Sequence, residues 1–283
     1  MGASRVGIEG LMKIESRISL LAIDLDGTLL ISDNSVSDAN VEAVALACQA
    51  GVEVLIVSAR PPFGMDEASR WLGLDGIQIA YNGAYVVDRA SGKVLLHHPM
   101  TAEEAKVMIQ LLREHGLYVG YYCGMEWYVE LECEEMRFEQ RGLQGAPKVV
   151  TDLLSDAPPQ PDKLIVIDLN RQDRLAAFYE AAHETMPGLN ILYSSPGSIE
   201  IGSIDASKGL ALAWIADHLG IPRREVMAIG DNFNDLSMFD IAGNAVGVGN
   251  APEAIQARAG LVVASNDMDG VAETIHSWVL SRP

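Results

Sequence analysis

The chain has 283 residues, of which 49% are hydrophobic and only 6% aromatic. That is enough for one large α/β unit, or for a core domain with a second domain inserted. A formal net charge of −19 without any Lys/Arg cluster argues against a nucleic-acid partner, because a duplex binder needs cations to displace counterions. No apolar run approaches the roughly 18 residues of a membrane span. The cysteines Cys48, Cys123 and Cys133 are odd in number and form no CxxC pair, which argues against structural zinc and a disulfide framework. Free thiols suit a reducing compartment, so a cytoplasmic location is expected. The first 17 residues lack the apolar stretch of a signal peptide and are expected to form a loose extension.

Ser19 to Ile23 is a short apolar run that stops at Asp24 and Asp26, the pattern of a buried parallel strand. Ser37 is a helix cap, followed by Val41, Val44, Ala45 and Cys48 at helical spacing and closed by Gly51. Cys48 is therefore expected in the core. Val52 to Val57 is a second buried strand and ends at Ser58-Ala59-Arg60. Pro61-Pro62 opens an element that ends at Gly73, and Ile77 to Ala80 is a third strand before Asn82-Gly83. This alternation predicts a doubly wound, Rossmann-like parallel sheet, with right-handed crossovers that bring every strand's carboxyl end to one edge.

The middle of the chain has a different character. Tyr85 to Val87 and Lys93 to Leu96 form a predicted hairpin, Thr101 to Glu104 a capping box that opens a helix, and Tyr118 to Glu132 an extended aromatic stretch. Lys163 to Asp168 is a predicted strand, followed by a helix from about Arg171 to Thr185. Residues 88–192 are expected to form an inserted α+β module, with 18–87 and 193–283 forming the core. The α/β alternation resumes with a helix over Ser207 to Leu219 and strands at Val226 to Ile229, Ala245 to Val248 and Leu261 to Val263. Pro252 to Ala259 and Gly270 to Val279 are expected to be covering helices.

Ligands of open α/β sheets bind beyond the carboxyl ends of the strands. Four polar clusters lie at such ends or just past them: Asp24 with Asp26, Ser58, Lys208, and Asp231 with Asn234 and Asp235. One Asp-x-Asp pair is compatible with a solvated turn or a helix cap. Two carboxylates ending a buried strand are expensive unless a cation balances them, and a hard, oxygen-coordinated ion such as Mg²⁺ suits the donor type. A second acidic string after a second apolar strand, Gly230-Asp231-Asn232-Phe233-Asn234-Asp235, makes chance coincidence harder.

These strings resemble the motifs of the haloacid dehalogenase superfamily. Asp24-Leu25-Asp26-Gly27-Thr28 is similar to the first motif, Ser58 to the second, Lys208 to the third, and Gly230 to Met238 to the fourth. The insertion, with Asn82-Gly83-Ala84, Glu200-Ile201 and Asn266 to Ala272, resembles the Cof-type branch with an α/β cap. Ala59 is a departure, since glycine is usual there. The resemblance implies a Mg²⁺-dependent phosphatase acting on small phosphorylated metabolites through an aspartyl-phosphate. It implies Asp24 as nucleophile and Asp26 as general acid and base. Mg²⁺ would be held by Asp24, Asp231 and the Asp26 backbone carbonyl, with Asp235 in support. Ser58, Lys208 and Asn234 would bind the phosphoryl group. A phosphomutase and a non-catalytic metabolite sensor are the alternatives on the same fold.

Other signals carry plainer expectations. Gly247-Val248-Gly249 lacks the third glycine of a dinucleotide fingerprint. His97-His98 is expected to be an exposed hairpin pair rather than a metal site. Glu130, Glu132, Glu134 and Glu135 are expected to be solvated. Tyr121, Tyr122, Trp127 and Tyr128 are expected to pack the inserted sheet, with stacking on a substrate as the alternative. Arg60 and Asn82 lie near strand ends, where they could touch substrate.

Overall fold

The computed structural model describes residues 16–143, 145–170 and 172–281. The expected N-terminal extension therefore lies almost wholly outside the described residues. Among those described, the strands are β1 (Leu20–Asp24), β2 (Glu53–Val57), β3 (Ile77–Ala80), β4 (Tyr85–Asp88), β5 (Lys93–His97), β6 (Tyr118–Cys123), β7 (Glu126–Val129), β8 (Lys148–Val149), β9 (Lys163–Ile167), β10 (Leu189–Ser195), β11 (Ser198–Ser203), β12 (Val226–Gly230), β13 (Asn244–Gly247) and β14 (Leu261–Val262). The helices are α1 (Asp38–Gln49), α2 (Asp66–Leu72), α3 (Ala102–Glu114), α4 (Glu134–Gln140), α5 (Leu153–Asp156), α6 (Gln172–Thr185), α7 (Lys208–Leu219), α8 (Leu236–Ile241), α9 (Glu253–Gln256) and α10 (Gly270–Thr274). No helix among the described residues is long and apolar enough to cross a membrane.

The chain divides into two compact units. One comprises residues up to Val54 together with those from Ile215 onward, and the other runs from Leu55 to Trp214. In the first, β14, β13, β12 and β1 lie side by side, all parallel. All five residues of β1 and of β12 are buried, which is why both are near-continuous apolar runs. Ser37 caps α1 by accepting from Asn40 N. The buried face of α1 is Asn40, Ala43, Val44 and Ala47, so Cys48, expected in the core, is exposed. The face is rotated by Asn40, a buried polar residue whose Oδ1 accepts from Ala272 N at 2.9 Å.

In the second unit, β2 and β3 are parallel and the hairpin β4–β5 continues them antiparallel. A separate six-stranded sheet has the order β10-β11-β9-β6-β7-β8. Alternation along its strands sends Tyr121, Tyr128, Leu164, Val166, Ile199 and Ile201 into a core with Met108 and Leu112 of α3 and Leu175 and Phe178 of α6. Each large side chain buried there contributes roughly 1.5–3 kcal/mol. The intervening positions, Tyr122, Trp127, Lys163 and Glu200, belong to the opposite face. Tyr122 stacks on Trp127 with centroids 5.7 Å apart and planes 7° apart, and on Phe63 at 6.4 Å. The aromatic stretch is thus spent on packing. Strands β8, β10 and β11 and helix α4 were not expected from the sequence.

Candidate active site

In the first unit, β1 ends at Asp24, which is 4% exposed, and β12 runs into Asp231. Carboxylate oxygens of Asp24, Asp231 and Asp235 all lie within 4.8 Å of one another. Asp235, fully buried, accepts from Asp231 N at 3.0 Å and Asn232 N at 2.9 Å through one oxygen. Asn232 and Asp235 form a reciprocal cap on the short turn Phe233–Asp235, so the second acidic string is locked as a loop before α8 begins. Asn234 sits within that turn, partly buried.

The first acidic string turns sharply after Asp24. Gly27 has φ +81°, and a Cβ built there would lie 2.6 Å from Asp231 Oδ2. Thr28 Oγ1 donates to Asp231 Oδ1 at 2.8 Å. Asn250 Nδ2 donates to Gly27 O at 2.7 Å, and Asn250 Oδ1 accepts from Asn266 N at 2.9 Å. Thr28, Asn250 and Asn266 therefore support the loop. Sequence reasoning gave them no role, although Thr28 stood inside the first motif and Asn266 inside a string already singled out. Asp26 is exposed, and its side chain is not part of the carboxylate trio.

The donor chemistry fits a hard divalent cation. Isolated burial of a carboxylate costs several kcal/mol, and here two buried carboxylates share 4.8 Å with a third. Two amide bonds to Asp235 and one hydroxyl to Asp231 offset part of that cost. A divalent ion bound by oxygen ligands would offset the rest.

In the second unit, Ser58 directly follows β2 and is 1% exposed. Its Oγ accepts from Arg60 N at 3.1 Å, and Ser58 N donates to Ile79 O at 2.9 Å. Lys208 is the first residue of α7 and is 2% exposed. Next to it, Tyr81, Asn82 and Gly83 all have positive φ (51°, 54° and 100°). For the two residues that carry a Cβ this costs roughly 1–2 kcal/mol each. Gly83 tolerates no side chain, since a Cβ there would overlap Ser207 O. Arg60 Nη1 donates to Gly64 O at 3.2 Å, and Asn82 Nδ2 donates to Glu200 Oε2 at 3.1 Å. A small pocket on this unit is lined by Tyr81, Asn82, Lys163, Leu192, Glu200 and Ser203, among others.

Two further groups on this unit are titratable. His97 Nε2 lies 2.6 Å from Asp162 Oδ1, and that hydrogen bond holds the imidazole pKa above its usual value, against the effect of burial. His97 is thus used for an ion pair within the unit. Glu139 of α4 accepts from Tyr118 Oη at 2.8 Å and from Tyr122 Oη. Burial pushes its carboxyl up to about 7, opposed by those two hydroxyls and by the charge of Lys163.

Residues 21–275 match the family model described as haloacid dehalogenase-like hydrolase. The chain belongs to that family and is an enzyme of the hydrolase class, as the Cof-type motifs implied. Several of its relatives are named as phosphatases. One is the pyridoxal phosphate phosphatase YbhA of Escherichia coli, 30% identical, with 92% of this chain and 98% of that one aligned. Another is the 5-amino-6-(5-phospho-D-ribitylamino)uracil phosphatase YcsE of Bacillus subtilis, also 30% identical, covering 93% and 96%. Among solved structures, a haloacid dehalogenase-like hydrolase of Bacteroides thetaiotaomicron superposes with a TM-score of 0.86 at 28% identity, covering 92% of this chain and 99% of the other. The mixed sheets with flanking helices are therefore the haloacid dehalogenase fold.

Proposed function

We propose that this enzyme, a phosphoric monoester hydrolase of that family, cleaves small phosphorylated metabolites with Mg²⁺ through an aspartyl-phosphate, an acyl phosphate formed on Asp24. The observation that carries the reading is the trio Asp24, Asp231 and Asp235 at the ends of paired parallel strands, with oxygens within 4.8 Å. Asp24, Asp231 and the Asp26 backbone carbonyl would hold Mg²⁺, and Asp235 would support it. The ion would supply positive charge against the phosphoryl oxygens and lower repulsion between substrate and carboxylates.

The chain's own residues divide the remaining work. An Asp24 carboxylate oxygen attacks phosphorus, and the bond from phosphorus to the ester oxygen breaks. Asp26, exposed and two residues on, gives its proton to that leaving oxygen. Asp26 then takes a proton from water as the water attacks phosphorus, which releases phosphate and restores Asp24. Ser58 and Asn234 would donate hydrogen bonds to the phosphoryl oxygens, and the buried Lys208 ammonium would add charge. The module over 88–192 would act as a cap that selects the ester. The two named relatives are equally similar to this chain at 30% and are named for chemically different esters, so similarity alone does not choose a substrate.

The test is Mg²⁺-dependent phosphate release from p-nitrophenyl phosphate and a metabolite panel that includes both esters. Asp24→Asn is expected to abolish release. Retention of full activity in that variant would overturn the nucleophile assignment, and isomerised hexose phosphate without free phosphate would indicate a mutase.

A further inference from the structure

The three residues that follow β2 have every carbonyl engaged. Ser58 O accepts from Asn82 N at 3.0 Å and Arg60 O from Tyr81 N at 3.0 Å. Ala59 O, between them, accepts from Lys163 Nζ at 2.9 Å. Lys163 opens β9, 104 residues further along the chain. It is 7% exposed, and its ammonium also bonds Glu200 Oε1 at 3.0 Å. The other oxygen, Glu200 Oε2, takes Asn82 Nδ2 at 3.1 Å. Glu200 of β11 therefore joins the cation on the middle carbonyl to the residue whose N–H holds the first one, and a ring of contacts closes around the loop.

One peptide plane connects this ring to the Ser58 hydroxyl. The Ala59 carbonyl and the Arg60 N–H belong to the same peptide unit, which is rigid and planar. Lys163 grips its oxygen end at 2.9 Å, and Ser58 Oγ accepts from its N–H end at 3.1 Å. With a lone pair of Oγ committed to Arg60 N, the hydroxyl proton is directed away from that amide. Without Lys163 the plane can rotate about its flanking bonds, and Oγ loses its reference.

We infer that Lys163 is a positioning residue for phosphoryl transfer, acting with Glu200 through the Ala59–Arg60 peptide to aim the Ser58 hydroxyl. This rests on the proposed phosphoryl-binding role of Ser58. It also gives strands β9 and β11 of the six-stranded sheet a part in the chemistry.

The experiment compares kcat and KM for p-nitrophenyl phosphate at saturating Mg²⁺ in five proteins: wild type, Ser58→Ala, Lys163→Met, Lys163→Met/Glu200→Gln, and that double variant with Ser58→Ala added. Removing both charges avoids leaving the partly buried Glu200 carboxylate without its cation, so the double variant is expected to fold even where Lys163→Met alone does not. Melting curves establish that each protein is folded at the assay temperature. Ser58→Ala in the wild type is expected to lower kcat/KM about 10- to 100-fold, and the double variant to do the same. Adding Ser58→Ala to the double variant should then cost less than about 3-fold, because the hydroxyl was no longer aimed. A folded double variant with wild-type kcat/KM, or losses that multiply in full, would overturn the inference. A wild-type background indifferent to Ser58→Ala would instead remove the role of Ser58 itself.

Discussion

Gly27→Ala tests whether the turn after Asp24 exists to admit the Asp231 carboxylate. The added Cβ would lie 2.6 Å from Asp231 Oδ2 and 3.0 Å from its Cγ. Ordinary contact begins near 3.4 Å, so the carboxylate must retreat by about 0.8 Å or the turn must open. Either movement exceeds the roughly 0.2 Å tolerance of metal–ligand distances. Thr28 holds the other Asp231 oxygen at 2.8 Å and resists the retreat. The φ of +81° adds roughly 1 kcal/mol for any residue with a Cβ. Two separable effects follow. Stability falls by about 1–2 kcal/mol in urea denaturation, and the Mg²⁺ concentration for half-maximal phosphatase activity rises about 10- to 100-fold. The second effect is the diagnostic one. A variant that loses stability yet keeps the wild-type Mg²⁺ requirement would refute the claim that Gly27 makes room for a metal-holding Asp231.

Asp26→Asn and Asp235→Ala should behave as opposites. The exposed Asp26 should cost under about 1 kcal/mol of stability while turnover falls at least about 100-fold. Loss of buried Asp235 orphans two backbone N–H groups and should cost about 2–4 kcal/mol by chemical denaturation. Chelation with EDTA should abolish phosphate release, Mg²⁺ should restore it, and Ca²⁺, with its larger and looser coordination, should restore it poorly. Glu139 predicts a pH effect. Its carboxyl is raised from 4.5 to about 7 in the folded state, so the folded protein binds the extra proton across that interval. Stability should therefore fall as pH rises from about 4.5 to about 7, by on the order of 3 kcal/mol from this group. Glu139→Gln should flatten that slope in denaturation curves taken across the interval; an unchanged slope would contradict the assignment.

Much of this chain is legible because its proposed reacting groups sit where periodicity changes. Buried parallel strands are unbroken apolar runs, and the residue at which each run stops is the one placed at the sheet edge. That applies to Asp24 at the end of β1, Ser58 after β2 and Asp231 after β12. The less legible elements have weak local signals. β10 has a buried start and four exposed residues at its end. α4 has only seven residues, and its first turn contains Glu134 and Glu135, so it resembles the end of a charge run. The buried face of α1 includes Asn40, whose burial is balanced by an amide 232 residues away. Apolar spacing counts Cys48 and omits Asn40.

The Lys163–Glu200–Asn82 ring shows the same limit from another side. Asn82 stands near a strand end and Glu200 inside a Cof-like string, but neither signal links them to Lys163, and Lys163 and Glu200 alternate with core residues on half-buried strands. Only the pairing of β9 with β11, through Ile165 opposite Glu200 and Leu164 opposite Ile201, brings them together. Sequence pattern locates groups that a strand end presents, since the strand's own burial announces them. It is silent about groups whose partner is supplied by another strand, because neither side carries a local trace of the bond. In this chain the proposed reacting groups, Asp24 and Asp26, are of the first kind. Lys163 and Glu200, proposed to aim Ser58, are of the second. Substitutions at Lys163 or Glu200 should therefore impair turnover at positions that no strand-end motif marks.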